Sequence, residues 1–227
     1  MEKLRYIPHK YQQRIYIYNS RFNDFLRILC PMAANQIIND YRLGGTVDGR
    51  TIFWEIDFCN NIRTGKIISY NPDGHRNKAE APQWVHTQLI YNKVLPSTFK
   101  VDQCLFGEHL LHEHPGAPVA LVEAEKTAVI CAALYPDYVW VAVGGLAGLS
   151  GYRCKALRCR QVIVFPDTDA EGKTFKQWAE ISRQQLRHIT QSITVSDLLE
   201  RVATKEQKSK KIDIADLLTQ QILKKDG

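Results

Sequence analysis

After Ser20, apolar residues recur at helical spacing as Phe22, Phe25, Leu26 and Leu29, and Ser20 is a suitable N-cap for that run. Pro31 stops the run or restarts it as a second helix carrying Ile37, Ile38 and Tyr41, which Gly44-Gly45 ends. Residues 51–57 (Thr-Ile-Phe-Trp-Glu-Ile-Asp) then alternate as a strand does. Cys59-Asn60-Asn61 supplies a turn and 62–70 the return, so the pattern predicts an antiparallel hairpin. Residues 71–82, with Pro72, Gly74 and Pro82 among polar neighbours, predict a surface loop before a short apolar-aromatic stretch at Trp84-Val85-His86.

From about residue 101 the pattern changes. Short continuous apolar runs at 118–122, 138–143, 161–165 and 192–195 are separated by helical stretches at 124–135 and 173–188, and further helices are expected near 196–203 and 213–223. Continuous apolar strands alternating with helices predict a parallel sheet covered on both faces, whose sites form at the carboxyl ends of the strands. The fold class expected is therefore α/β. Residues 1–100 would form a smaller α+β domain with the hairpin, and residues 101–227 an α/β domain with its core at about 117–220. Lys205 to Lys211 carry no periodic apolar residue and predict a surface loop.

Composition narrows the function classes. Apolar residues make up 44% and charged residues 24% of 227, an ordinary globular balance. No apolar run approaches membrane-spanning length and the start, Met1-Glu2-Lys3-Leu4-Arg5, has no signal-like apolar core, so a cytoplasmic location without membrane contact is expected. The six cysteines include no Cys-x-x-Cys pair, which predicts reduced thiols and no structural zinc site. His109, His112 and His114 do not follow a metal-binding spacing and read as a solvated helix end. Charge is unevenly spread: residues 1–100 hold 14 Lys and Arg against 8 Asp and Glu, whereas residues 101–227 hold 16 of each. A basic half beside a neutral, acid-containing half suits a polyanion such as nucleic acid, and it also suits a merely solvated surface.

The candidate chemistry lies at the predicted strand ends. Glu123 directly follows the first run of the sheet, and Asp167-Thr168-Asp169 follows the third after Pro166. If those strands are neighbours, three carboxylates converge, and their repulsion calls for a cation. Hard oxygen ligands favour Mg²⁺ (or Mn²⁺). Taken singly, each acid reads equally as a turn former or helix cap. Gly144 and Gly145 follow the second run and allow backbone N–H groups to approach a phosphate, or a helix to start tight against the sheet. Lys126, one turn into the helix after Glu123, is within reach of a phosphate or is an exposed helix lysine. In the basic part, Arg42, Arg63 and Lys66 are the candidates for contacts to a nucleic-acid backbone.

Glu123-Ala-Glu-Lys-Thr-Ala128, a strand ending in Gly-Gly, and Val-Ile-Val-Phe-Pro-Asp-Thr-Asp-Ala-Glu-Gly172 together resemble the toprim domain shared by DnaG-type primases, topoisomerases and related nucleases. The resemblance spans about 117–220. It implies a Rossmann-like, mainly parallel four-stranded sheet and assigns metal binding and phosphoryl transfer to Glu123, Asp167 and Asp169. Lys211-Ile-Asp213-Ile-Ala-Asp216-Leu-Leu resembles a segment that closes many primase-like toprim domains, although Ile212 interrupts it here and Asp213 reads more simply as a helix N-cap. Upstream, Tyr41-Arg-Leu-Gly44, Gly49-Arg50-Thr-Ile-Phe, Thr64-Gly-Lys66, Trp84-Val-His86 and Cys104-Leu-Phe-Gly107 are laid out as in primases, and the whole resembles the DUF6371-type toprim proteins of Bacteroidetes mobile elements. The zinc ribbon that often precedes this region in such families is not expected within residues 1–29, which hold no cysteine.

The resemblance implies primase-like nucleotidyl transfer in DNA replication. Its partners would be a single-stranded DNA template and nucleoside triphosphates, with a helicase or mobilisation protein as a further candidate. Three rivals stand beside it: a non-catalytic toprim-derived module that binds DNA or a replication partner, a toprim nuclease, and a haloacid-dehalogenase-type phosphatase. The last also places Asp-x-Asp after an apolar strand, but at the opening of its domain.

Overall fold

The sequence folds into two units, divided between His112 and Glu113. The structure, a computed structural model, describes residues 6–14 and 18–225, so the amino-terminal residues 1–5 read above lie outside the described part. In chain order the elements of the first unit are α1 (His9–Arg14), α2 (Arg21–Leu29), α3 (Ala34–Asp40), β1 (Gly44–Gly45), β2 (Thr51–Ile56), β3 (Ile62–Ile68), β4 (Gln83–Trp84) and α4 (Val85–Tyr91). The short α5 (Leu110–Glu113) stands where the division falls. The second unit holds β5 (Val119–Val122), α6 (Glu125–Leu134), β6 (Val139–Ala142), β7 (Gln161–Val164), α7 (Lys173–Leu186), β8 (Ser192–Val195), α8 (Leu198–Val202), α9 (Lys205–Ser209) and α10 (Ile214–Lys225).

In the first unit the expected hairpin is the centre of an antiparallel sheet of order β1-β2-β3-β4. Ser20 caps α2 as expected, its Oγ accepting from the Asn23 N–H at 3.2 Å and from the Thr51 hydroxyl at 3.0 Å. Every residue of β2 is buried, because both faces of the sheet are covered. Ile52, Trp54 and Ile56 pack with Val85 and Leu89 of α4, while Phe53 on the other face meets Phe22, Tyr70 and Phe106. Gly65 pairs with Trp54 across β2 and β3, and a Cβ there would stand 3.0 Å from Ile52, Trp54 and Val85, so only glycine leaves room for the indole.

His109, expected in a solvated helix end, is instead buried in this unit, with Nε2 2.9 Å from the Asp40 carbonyl. A carbonyl only accepts, so Nε2 carries the proton. Nδ1 is buried with no hydrogen-bond partner, and burial pushes the ring's pKa down to about 4. The folded pKa thus lies below the unfolded value, and the unfolded chain takes up the proton first as pH falls. Stability held at neutral pH is then lost as pH falls from about 6.5 to about 4, by up to about 3 kcal/mol. Urea unfolding of the wild type across that window should show this loss, and His109→Gln, whose amide can still donate to Asp40, should flatten it. An equal acid loss in both proteins would contradict the assignment.

The second unit has the expected α/β form. Its four strands are all parallel, in the order β6-β5-β7-β8. β5 and β6 are buried along their whole lengths, as continuous apolar runs require. α6 is buried on most of its circumference and packs against β6 and α10, which explains its alanine-rich composition. Residues 205–211, expected as a loop, instead contain α9. Thr204 and Gln207 form a reciprocal capping box, and Lys210 pairs with Glu206 one turn earlier at 2.6 Å, so local hydrogen bonds supply what apolar periodicity does not. Among the described residues no helix is long and apolar enough to cross a membrane, and all six cysteines are free thiols.

Candidate functional site

The chain runs from β5 to β6 on one side of the sheet and then returns to β7 on the other side of β5. Open parallel sheets place their ligands at such a reversal, at the carboxyl ends of the strands on either side of it, here β5 and β7. Glu123 follows β5 directly, and Asp167 lies three residues beyond the end of β7. The strands are hydrogen-bonded neighbours, with Leu121 opposite Val164. The charge of Glu123 is one of those felt by Asp167.

Two further carboxylates join them. The Thr168 N–H donates to the Ile212 carbonyl at 3.2 Å, which ties the loop after β7 to the residue before Asp213. Asp213 is the N-cap of α10, in agreement with its simpler reading: its Oδ1 accepts from the Asp216 N–H at 2.7 Å, and the Asp216 carboxylate accepts from the Asp213 N–H at 3.3 Å. Its second oxygen, Oδ2, accepts from the Thr127 hydroxyl at 2.6 Å and lies 3.8 Å from Lys126 Nζ. Lys126 Nζ also donates to Asp216 Oδ1 at 2.8 Å. Lys126 is therefore held within the acidic cluster. Burial works against its charge, but Asp213 and Asp216 outweigh that and raise its pKa.

Asp167 carries the electrostatic cost. Burial first, then the charges of Asp213, Glu123 and Asp216, push its pKa up to about 8, against a smaller opposing effect of Lys126. The metal-free chain should therefore hold a proton on Asp167 at neutral pH. Carbon-detected NMR titration of the aspartate carboxyls should show one midpoint near 8 that disappears in Asp167→Asn, and a set of midpoints all below 5 would contradict this.

Asp169 is arranged differently. Its carboxylate accepts from the backbone N–H groups of Thr174 and Glu171, which hold its pKa well below the usual carboxylate range. It caps the start of α7 in place of Gly172, which stands in the left-handed conformation and has no side chain to do so. Between the two acids Thr168 is buried, its hydroxyl donating to Glu200 at 2.5 Å. Asp167 thus belongs to the cluster, while Asp169 caps a helix. The charges of Asp213 and Asp216 are felt at Asp167.

The glycine turn after β6 continues the sheet. The Gly144 N–H donates to the Glu123 carbonyl at 2.8 Å, and Gly145 adopts φ 134° and ψ 155°, a conformation reserved for glycine. In the first unit, Arg42 ends α3 in the left-handed conformation and its Nη1 donates to Asn60 at 2.6 Å. Arg63 is enclosed: Nε meets Asp57 at 2.7 Å, Nη1 meets Asp102 at 3.0 Å, and the guanidinium lies 4.7 Å from the centre of the Tyr6 ring. Lys66, on β3, is half-buried opposite Phe53 and Trp84.

An oxygen-only donor set suits Mg²⁺, and a protonated carboxyl among carboxylates is what a divalent cation would relieve, so Glu123 and Asp167 fit such an ion. Among the described residues no three His, Cys, Asp or Glu side chains are already arranged to hold a metal. Lys126 Nζ is instead the positive group in contact with Asp216.

Residues 20–168 match the model of a domain family described as a domain of unknown function, DUF6371. No curated protein matches the chain. Among solved structures, the primase fragment of the bacteriophage T7 primase-helicase is 19% identical, with a TM-score of 0.47 over 71% of this chain. This chain spans 59% of that fragment. The structure of bacteriophage T7 lagging-strand DNA polymerase with primase domains bound to an RNA/DNA hybrid and dTTP gives 18% identity and a TM-score of 0.49, over 83% of this chain and 84% of the other. The E. coli primase catalytic core gives 14% and 0.45, over 85% and 64%.

Proposed function

This chain belongs to the DUF6371 family, and from its toprim-like motifs and its strand ends we propose that it is a Mg²⁺-dependent phosphoryl-transfer enzyme of nucleic acid. The reaction we favour is primase-like nucleotidyl transfer on a single-stranded DNA template. The observation that carries this is the placement of Glu123 and Asp167 at the carboxyl ends of adjacent parallel strands, on either side of the point where the strand order reverses.

Glu123 and Asp167 would hold the ion, with Asp213 next to Asp167. A bound Mg²⁺ would supply charge stabilisation at a phosphoryl group and orient its oxygens. The chain's own residues do the rest. Asp169 and Thr168 fix the loop that aims Asp167, and Asp213 joins the cluster to α10. The Gly144-Gly145 turn keeps side chains away from the end of β6. The basic first unit would attract the template, with Arg42 and Lys66 as candidate phosphate contacts. Arg63 is left out of that role because its guanidinium is already paired with two carboxylates.

The test is incubation of the chain with single-stranded DNA, labelled nucleoside triphosphates and Mg²⁺ or Mn²⁺, with products resolved on a gel beside Glu123→Gln. Extended product that is lost in the variant supports the proposal, and shortened template would select a nuclease. Absence of any product, with DNA still retained, would replace the proposal with a binding module. Release of phosphate from simple monoesters would select the phosphatase.

A further inference from the structure

We infer that Lys126 is the resident cation of the acidic cluster and that a divalent metal must displace it to bind. The inference rests on the metal-site reading above and extends it to how the site is filled. Its geometric basis is that Lys126, on α6, pairs with both acids at the start of α10: Asp216 at 2.8 Å and Asp213 at 3.8 Å. The neighbouring residue on α6, Thr127, fastens Asp213 as well, at 2.6 Å.

Two consecutive side chains of α6 thus hold the head of α10 against the cluster. The arrangement is largely enclosed, with the Lys126 side chain 15% exposed and that of Asp213 11% exposed. Asp213 and Asp216, which hold the ammonium, also act on Asp167, so the ammonium and a divalent ion at Glu123 and Asp167 would draw on one acidic cluster and repel each other within it. On metal entry the Lys126 ammonium would leave Asp216 and Asp213. It would then be available to the phosphates of an incoming substrate, which is the use a lysine one turn after Glu123 suggests. Lys126 is in this sense a positioning residue. It keeps the metal-free cluster folded and delivers a positive charge only once the metal has arrived.

The experiment is Mn²⁺ titration by calorimetry of the full chain, after chelator treatment, for wild type, Lys126→Met and Lys126→Arg. Lys126→Met should bind Mn²⁺ at least about tenfold more tightly than wild type, as expected when a competing charge is removed. Lys126→Arg should stay near the wild type. In chelator Lys126→Met should melt at a lower temperature than wild type, and Mn²⁺ should restore it by a larger shift. Equal or weaker binding in Lys126→Met, with binding retained by the wild type, would overturn the inference and leave the metal site standing. If none of the three proteins binds Mn²⁺, the metal site itself fails, and the inference with it.

A wild-type measurement keeps the test decisive if Lys126→Met does not fold. Amine acylation read by mass spectrometry should label Lys126 severalfold faster with Mn²⁺ present than in chelator. Labelling that is unchanged or slowed by Mn²⁺ would overturn the inference.

Discussion

Asp167→Asn should lower metal-dependent product formation by a hundredfold or more, measured as labelled product per hour at saturating Mg²⁺ and template. The substitution keeps the shape of the side chain and removes the negative charge that an ion between Glu123 and Asp167 would need. Losing one pre-arranged electrostatic partner of a reacting centre typically costs about 10²–10³ in rate, and losing the ion itself costs more. The same change should not weaken the fold. Asp167 is a partly buried acid whose pKa is pushed up to about 8 by burial and by Asp213, Glu123 and Asp216, so a neutral amide removes repulsion from the metal-free protein. Asp167→Asn in chelator should melt at or above the wild-type temperature at pH 8. Loss of product together with an undiminished melting temperature assigns the effect to the site. Product formation within threefold of wild type would remove Asp167 from the chemistry.

Arg63→Met should destabilise the first unit by about 3–5 kcal/mol, the usual cost of breaking a buried ion pair from one side. Arg63 is 12% exposed and its partner Asp57 is 7% exposed. Its removal strands that carboxylate, which otherwise accepts from the Cys59 and Asn61 N–H groups and organises the turn between β2 and β3. Asp102 loses its guanidinium partner as well. Urea unfolding followed by tryptophan fluorescence measures the loss, since Trp54 is fully buried in the same sheet. DNA affinity of the folded fraction should stay within twofold of wild type. A stable Arg63→Met with sharply weakened DNA binding would show instead that the guanidinium serves the template.

These residues also mark how much the sequence disclosed. The parallel sheet was legible because its strands are continuous apolar runs separated by helices, a pattern that few other architectures share. The positions of Glu123 and Asp167 at strand ends follow from the same pattern. The α4 helix was not legible: it has seven residues, no side-chain N-cap bond and a start that follows directly on β4 at Trp84. Charge concealed α9, whose stability comes from a capping box and an ion pair.

The partners of the cluster were hidden for a different reason. Asp-x-Asp says nothing about which acid faces a crevice and which caps the following helix, because that depends on the turn at Gly172 and on the N–H groups of Thr174 and Glu171. The closeness of Asp213 to Asp167 depends on the contact between Thr168 and Ile212, 44 residues apart. Ile212 read as an interruption of a motif, whereas its carbonyl ties that segment to the loop after β7. In the same way a composition-based charge count includes Arg63 among the basic residues but cannot see the two carboxylates that enclose it.

Whether Glu123 and Asp167 share a divalent ion can be seen in a crystal of the full chain grown with Mn²⁺, through the anomalous scattering of the metal. One peak should lie against carboxylate oxygens of both residues, with Lys126 Nζ withdrawn from Asp216. A map with no peak at the ends of β5 and β7, or with Mn²⁺ bound elsewhere while Lys126 still bridges Asp213 and Asp216, would contradict it.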